Sequence, residues 1–297
     1  MSDFTIQLKD GRKIGYIEYG DKTGIPVLFF HGTPGSRLLY LDDDDVAKSL
    51  GVRLISIERP GFGLSTPKPN RTLLDWADDV SEVADQFNLH KFSIIGVSGG
   101  GAFAAACAFK LSERLHSATL IASATPFPNG KPPKSMMTAN KLAFILDKKA
   151  PWLMRASYRL HKKIMTEKPE KYIRDTKKGN KHLNEWDRKF LQTDEDVKAM
   201  MLHLGEAFRM SVDECVNEPV LLSKPWGFSA SEIKTPVYVW HGENDKMSPF
   251  DEMKKLAASI PDCETNYIPG AGHFVSEDEQ IWREILGKIK KSHPVHE

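Results

Sequence analysis

The sequence predicts an α/β protein: a mostly parallel, eight-stranded sheet flanked by helices, with one all-helical insertion. Three observations predict it. Short, continuous apolar runs recur at residues 26–30, 52–57, 92–95, 117–122 and 235–240, the pattern of strands covered on both faces. Helical segments separate most of them, and such alternation builds a parallel sheet. Between residues 127 and 232 the strands stop and only helical periodicity remains.

Composition sets the frame. The chain has 297 residues, 40% hydrophobic and 27% charged, the balance of a globular protein with ample surface to bury. A formal net charge of +1 gives no overall pull toward nucleic acid or an anionic membrane. No apolar run reaches the length of a membrane span. Met1-Ser2-Asp3-Phe4-Thr5 lacks the basic and apolar segments of a signal peptide, so the expected address is the cytoplasm. Cys107, Cys215 and Cys263 are odd in number and far apart, which suggests neither a disulfide framework nor a zinc site. Cys107 reads as a buried thiol. No metal or cofactor is expected. Oligomeric state leaves no mark in the sequence.

Taken in order, residues 5–8 and 13–19 alternate apolar and polar side chains about Asp10-Gly11, an antiparallel hairpin. Residues 38–50 read as a helix, with Asp42-Asp43-Asp44-Asp45 in its first turn, where the helix dipole favours carboxylates. No glycine-bearing calcium loop surrounds these aspartates. The turn Arg59-Pro60-Gly61-Phe62-Gly63-Leu64-Ser65 reads as structural, flanking the pocket. An amphipathic helix at 73–88 leads into the strand at 92–95. The insertion is expected to hold helices at 136–146, 152–164, 168–178, 185–193, 194–210 and 212–222. At helical spacing, Met136, Met137, Phe144, Trp152, Tyr158 and Met165 are expected mostly in the insertion's own core. Met137, Phe144 and Trp152 are the candidates to line an apolar pocket. Residues 131–189 carry 17 Lys and Arg against 6 Asp and Glu; residues 190–232 carry 3 against 8. Solvated helix faces that pair across this divide are the expectation. A strand at 264–268 completes the sheet and a helix at 281–291 closes the chain.

Four motifs carry chemistry. Gly96-Val97-Ser98-Gly99-Gly100 lies where an apolar strand breaks abruptly into a small-residue helix. Gly96 and Gly100 leave room where a Cβ would clash, and Ser98 sits at the apex in strained geometry. His31-Gly32-Thr33-Pro34-Gly35-Ser36 ends the strand at 26–30. His241-Gly242-Glu243-Asn244-Asp245 ends the strand at 235–240. Gly270-Ala271-Gly272-His273-Phe274 follows the last strand. The nine histidines other than His273 lack its setting after the last strand.

At these spacings and in this order, the chain resembles the α/β-hydrolase family over essentially its whole length, with a G-x-S-x-G nucleophile elbow. The resemblance implies Ser98 as nucleophile, His273 as base and Asp245 as the acid that orients it, with Glu243 the fallback. It implies an oxyanion hole from the Thr33 and Gly99 N–H groups, with His31 structural. It implies a helical cap, residues 127–232, on a core of residues 1–126 and 233–297, roofing the site. The activity implied is hydrolysis of a small to medium, partly apolar carboxylic ester, a small-molecule substrate. Ser98 departs from the Asp nucleophile of haloalkane dehalogenases and epoxide hydrolases. Members of the proline-iminopeptidase type carry His-Gly-Gly-Pro-Gly and a Trp after the nucleophile. Thr33 and Gly99 depart from both, so an aminopeptidase or amidase is the second reading. Haloperoxidase-like and carbon–carbon-bond hydrolase members commonly have Met or Phe after the serine, which Gly99 weakens. A reading from another class is a slow-turnover ligand sensor whose cap signals to a partner.

Overall fold

The structure, a computed structural model, describes residues 4–39 and 44–293. Eight strands form one sheet: β1 (Phe4–Gln7), β2 (Lys13–Gly20), β3 (Ile25–Phe30), β4 (Val52–Ile57), β5 (Phe92–Val97), β6 (Leu115–Ile121), β7 (Val237–Gly242) and β8 (Cys263–Ile268). Their order is β1-β2-β4-β3-β5-β6-β7-β8. The hairpin β1–β2 lies antiparallel at one edge, and β2 runs antiparallel to β4; every other pairing is parallel. The order reverses direction at β3, with β4 on one side and β5 on the other. A crevice opens at the carboxyl ends of strands at such a switch point. The loops after β3 and β5 therefore meet there.

Alternation along the strands divides the core. Leu28 and Phe30 face one layer with Ile55, Ile57 and Ile94, beneath α2 (Leu73–Gln86), α3 (Gly99–Lys110) and α10 (Phe250–Ser259). Val27 and Phe29 face the other with Leu54, Ile95 and Ile121, beneath α1 (Asp44–Ser49) and α11 (Glu279–Ser292). Helix α2 starts on a capping box, Thr72 with Asp75. In α3 every residue from Gly99 to Ala108 is buried; Phe103 packs edge-on against Trp76 of α2, and the small side chains around it let the helix lie close to β5 and β6.

Between β6 and β7, among the described residues, there is no strand. Six helices fill the stretch: α4 (Thr138–Lys149), α5 (Pro151–Glu167), α6 (Pro169–Gly179), α7 (Glu185–Lys189), α8 (Asp194–Ala207) and α9 (Glu214–Leu222). They share a small core of their own, with Met165, Ile173, Val197, Phe208 and Cys215, which Phe62 enters from the loop after β4.

Three expectations change. Helix α7 ends at Lys189, because the residues to 193 turn to form the next cap, where Thr193 accepts from the Asp196 N–H. Leu38 and Leu39 lie in a turn, and the helix expected from residue 38 is described only as α1 from Asp44. Asp42 and Asp43 lie outside the described residues. Helix α10 was not anticipated, although Met253, Leu256 and Ala257 bury one helical face. Among the described residues, no helix is long and apolar enough to cross a membrane.

Candidate active site

Ser98 caps the sharp turn from β5 into α3. Its backbone has φ 53° and ψ −120°, a strained region for a residue with a Cβ. Packing holds it there. The Ser98 N–H donates to the Ile121 carbonyl at 2.9 Å, and its carbonyl accepts from Ala124 N at 2.8 Å and Gly101 N at 3.0 Å. A Cβ on Gly96 would collide with the Gly100 backbone, and one on Gly100 with the Phe30 and His31 carbonyls. Both glycines answer to the closeness of strand and helix.

Three loops bring their side chains to Ser98. His273, on the loop after β8, places Nε2 3.0 Å from Ser98 Oγ. Its Nδ1 lies 2.8 Å from Asp245 Oδ2, on the loop after β7. With a carboxylate at Nδ1, that nitrogen carries the proton and Nε2 is left to accept from the Ser98 hydroxyl. Asp245 is buried, and its Oδ1 accepts from the Met247 and Ser248 N–H groups at 2.8 and 2.9 Å. Burial pushes the His273 pKa down, but Asp245, by charge and hydrogen bond, outweighs it and holds the imidazole above its ordinary value. His241, beside them, is buried and donates Nε2–H to the Ser248 carbonyl at 2.8 Å; burial lowers its pKa. It shapes the acid loop. Glu243, the alternative acid, appears in no hydrogen bond or ion pair to His273, whose Nδ1 belongs to Asp245.

The loop after β3 folds over the elbow. Gly32 lies against Ser98, and the Thr33 hydroxyl fills the space where a Cβ on Gly99 would be. Gly99 N–H opens α3, where the first N–H groups of a helix lack partners within it. His31 is buried and holds this loop: Nδ1–H donates to the Gly32 carbonyl at 2.7 Å, and Nε2 accepts from Arg59 N at 3.2 Å. Burial keeps it neutral by lowering its pKa.

Residues to which the sequence reading gave no catalytic role brace the site. The buried Arg59 guanidinium donates to the His31 carbonyl, to the Gly32 carbonyl at 2.8 Å and to Thr33 Oγ1 at 3.1 Å. It also forms a bidentate pair with Glu218 of α9, at 2.9 and 2.6 Å. Thr33 Oγ1 donates to Glu218 Oε1 at 2.5 Å, and Arg71 donates to Glu218 Oε2 at 2.7 Å. Burial raises the Glu218 pKa, but Arg59 and Arg71 overcome this and hold it below the ordinary value.

The other loops are braced in the same way. Asp187 of α7 accepts from the Phe274 N–H at 2.9 Å, next to His273. Met137 N–H donates to the Lys246 carbonyl at 2.7 Å. Ser36 bonds to His203 of α8, and Arg37 pairs with Glu206. The helical stretch thus bonds to the loops after β3, β7 and β8, three of the four motifs. Phe62, in the turn that begins at Arg59 and reads as structural, joins the insertion's core.

The candidate pocket residues go separate ways. Met137 borders a cavity of about 370 Å³ beside the acid loop, with Leu183, Asn184, Asp187, Asn244 and Met247. Phe144 packs edge-on against Phe127, ring centroids 4.7 Å apart. Trp152 is 69% exposed at the start of α5. Met165 and Tyr158 belong to the insertion's core, as expected. Among the described residues, no cluster of side chains suits a metal ion.

A family profile described as the alpha/beta hydrolase fold matches residues 25–280. The chain belongs to this family, and it is a hydrolase on that fold. A non-heme chloroperoxidase of Kitasatospora aureofaciens is 24% identical, covering 95% of this chain and 98% of that protein. Among solved structures, a bromoperoxidase from Bacillus anthracis is similar with a TM-score of 0.73 at 18% identity, covering 98% of this chain and all of that one. An esterase from Exiguobacterium antarcticum is similar with a TM-score of 0.70 at 17% identity, again covering 98% and 100%. The glycine after Ser98 tells little against haloperoxidase-like relatives, because it answers to the Thr33 side chain above it.

Proposed function

We propose that the protein is a serine hydrolase of carboxylic esters, acting on a small to medium, partly apolar acyl substrate through an acyl-enzyme. The observation that carries the proposal is His273, within hydrogen-bond reach of Ser98 on one side and Asp245 on the other. Ser98 is the nucleophile. His273 takes its proton as the hydroxyl attacks the ester carbonyl, then gives it to the leaving alcohol. Asp245 fixes the tautomer and stabilises the imidazolium. Thr33 and Gly99 N–H groups stabilise the oxyanion, each such donor worth about 2.7–4 kcal/mol. Water then attacks the acyl carbon as His273 takes its proton; the bond to Ser98 Oγ breaks, His273 returns the proton to Oγ, and the acid leaves.

In this reading residues 127–232 form a cap domain on a core of residues 1–126 and 233–297. The esterase neighbour supports the ester class. Three free cysteines and a near-neutral net charge support a cytoplasmic protein with a small-molecule substrate.

The test is covalent labelling by a fluorophosphonate, read by intact mass, beside turnover of an ester and amide panel. One equivalent on the wild type, none on Ser98→Ala, and ester turnover are expected. Amide turnover alone would favour the aminopeptidase reading; a folded wild type that neither labels nor turns over would favour the sensor. Asp245→Asn should lower kcat about 10³–10⁴-fold with the fold intact. Because the base must be neutral, kcat should fall as pH drops through an apparent pKa above the ordinary histidine value of about 6.5, measured as a pH–rate profile.

A further inference from the structure

Helices α4 and α5 bury almost nothing. Of 12 and 17 residues, each has one buried side chain, Asp147 and Met165. Their outer faces instead expose Leu142 (55%), Ile145, Trp152, Leu153 and Leu160 (57%). Scattered apolar side chains are ordinary on a surface; five on two consecutive helices are not. Basic side chains surround them. Residues 131–168 contain ten Lys and Arg against two Asp and Glu. Arg155 pairs with Asp213, as the charge pattern predicts, but Lys148, Lys149 and Arg159 have no ion-pair partner among the described residues. One of the two acids, Asp147, is buried, and burial pushes its pKa up to about 7, so it offsets little of this charge.

We propose that the outer face of α4 and α5 docks on an anionic lipid surface. Charge complementarity selects an anionic occupant. The shape selects a lipid one. Helices α4 and α5 are joined by a single residue, Ala150, and Leu142, Ile145, Trp152, Leu153 and Leu160 stand out into solvent. A deformable headgroup layer accepts isolated Leu and Trp side chains between its lipids while Lys and Arg meet its phosphates. Lysine stems can cover apolar surface and still keep their charge in the headgroup region. If the ester-hydrolase reading holds, the enzyme would then meet acyl substrates that partition into a bilayer. Docking itself does not require hydrolysis.

The experiment is sedimentation of the full chain with vesicles of phosphatidylcholine alone or mixed with phosphatidylglycerol, at low and high salt. The chain should sediment with the anionic vesicles, less at high salt, and not with neutral ones. Each basic side chain near such a surface contributes about a fivefold gain in affinity, so Lys148→Glu with Lys149→Glu should weaken binding at least about twentyfold. Leu142→Ser with Leu160→Ser should also weaken it at unchanged Tm, and Ser98→Ala should bind like the wild type. Absence of binding to anionic vesicles, equal binding to neutral ones, or full binding by both double variants overturns the proposal. So does light scattering that shows a dimer abolished by the apolar variant while vesicles go unbound, since the face would then belong to a second copy of the chain.

Discussion

The helical insertion has two unlike sides. Helix α9, of nine residues, buries Cys215, Val216, Glu218 and Leu222 and sets a carboxylate among Arg59, Arg71 and Thr33. Helices α4 and α5, together about three times its length, bury one residue each and leave apolar and basic groups in solvent. The difference teaches how an insertion can serve a site. Its inner side is fixed by ion pairs that must remain matched once desolvated. Its outer side carries no such obligation and is open to a partner.

Substitutions can break or sharpen this contrast. The largest effect should come from Glu218→Ala, which leaves Arg59 and Arg71 buried without their carboxylate. A loss of about 3–5 kcal/mol is expected from denaturant unfolding. Glu218→Gln keeps an acceptor for Thr33 and should lose less stability while still lowering kcat. Gly99→Ala comes next. Its methyl group would collide with Thr33 Oγ1, a short side chain held by Glu218 and Arg59. Displacing that loop should cost about tenfold to a hundredfold in kcat, on the scale of a misplacement of about 1 Å. Adding Thr33→Ala should restore part of it, which independent sites would not do.

Asp147 tests the boundary between the sides, because it points inward from α4. Its folded pKa of about 7 lies above the unfolded value near 3.8. The folded state therefore binds the proton more tightly, and stability is fully present below about pH 4 and is lost as pH rises through 7. Asp147→Asn should remove that slope and raise Tm at pH 8 by about 2–4 °C, the shift that about 1 kcal/mol brings in a chain of this size. Smallest of all should be Leu142→Ser with Leu160→Ser. Each should stay within about 0.5 kcal/mol of the wild type by denaturant unfolding, with kcat on a soluble ester unchanged. A large loss there would mean that the outer side is packed in solution.

The strands, the elbow and the order of the four motifs were legible because their signals are local. A strand buried on both faces must be apolar at every position, and a turn as tight as that at Ser98 demands glycines at fixed offsets. The six helices of the insertion were legible for the same reason, apart from ends such as that of α7, where capping side chains compete with the helix. Helix α10 has the apolar spacing of its neighbours, and a closer reading of residues 250–259 would have found it.

What the sequence determined by itself was the sheet, the elbow and the residue types offered to the site. Which polar residues of the insertion turn inward was decided by tertiary structure. Glu218, Asp187 and His203 lie on amphipathic helices beside similar residues that face solvent, such as Glu195 and Lys198. Nothing within a turn of helix distinguishes them. A buried carboxylate is stable only where a cation meets it, and the partners of Glu218 stand 159 and 147 residues away, on the loop after β4 and just before α2. Trp152 makes the converse point. Its apolar ring suggested an inward face, yet it lies outside, because the burial of a side chain depends on what the fold places opposite it.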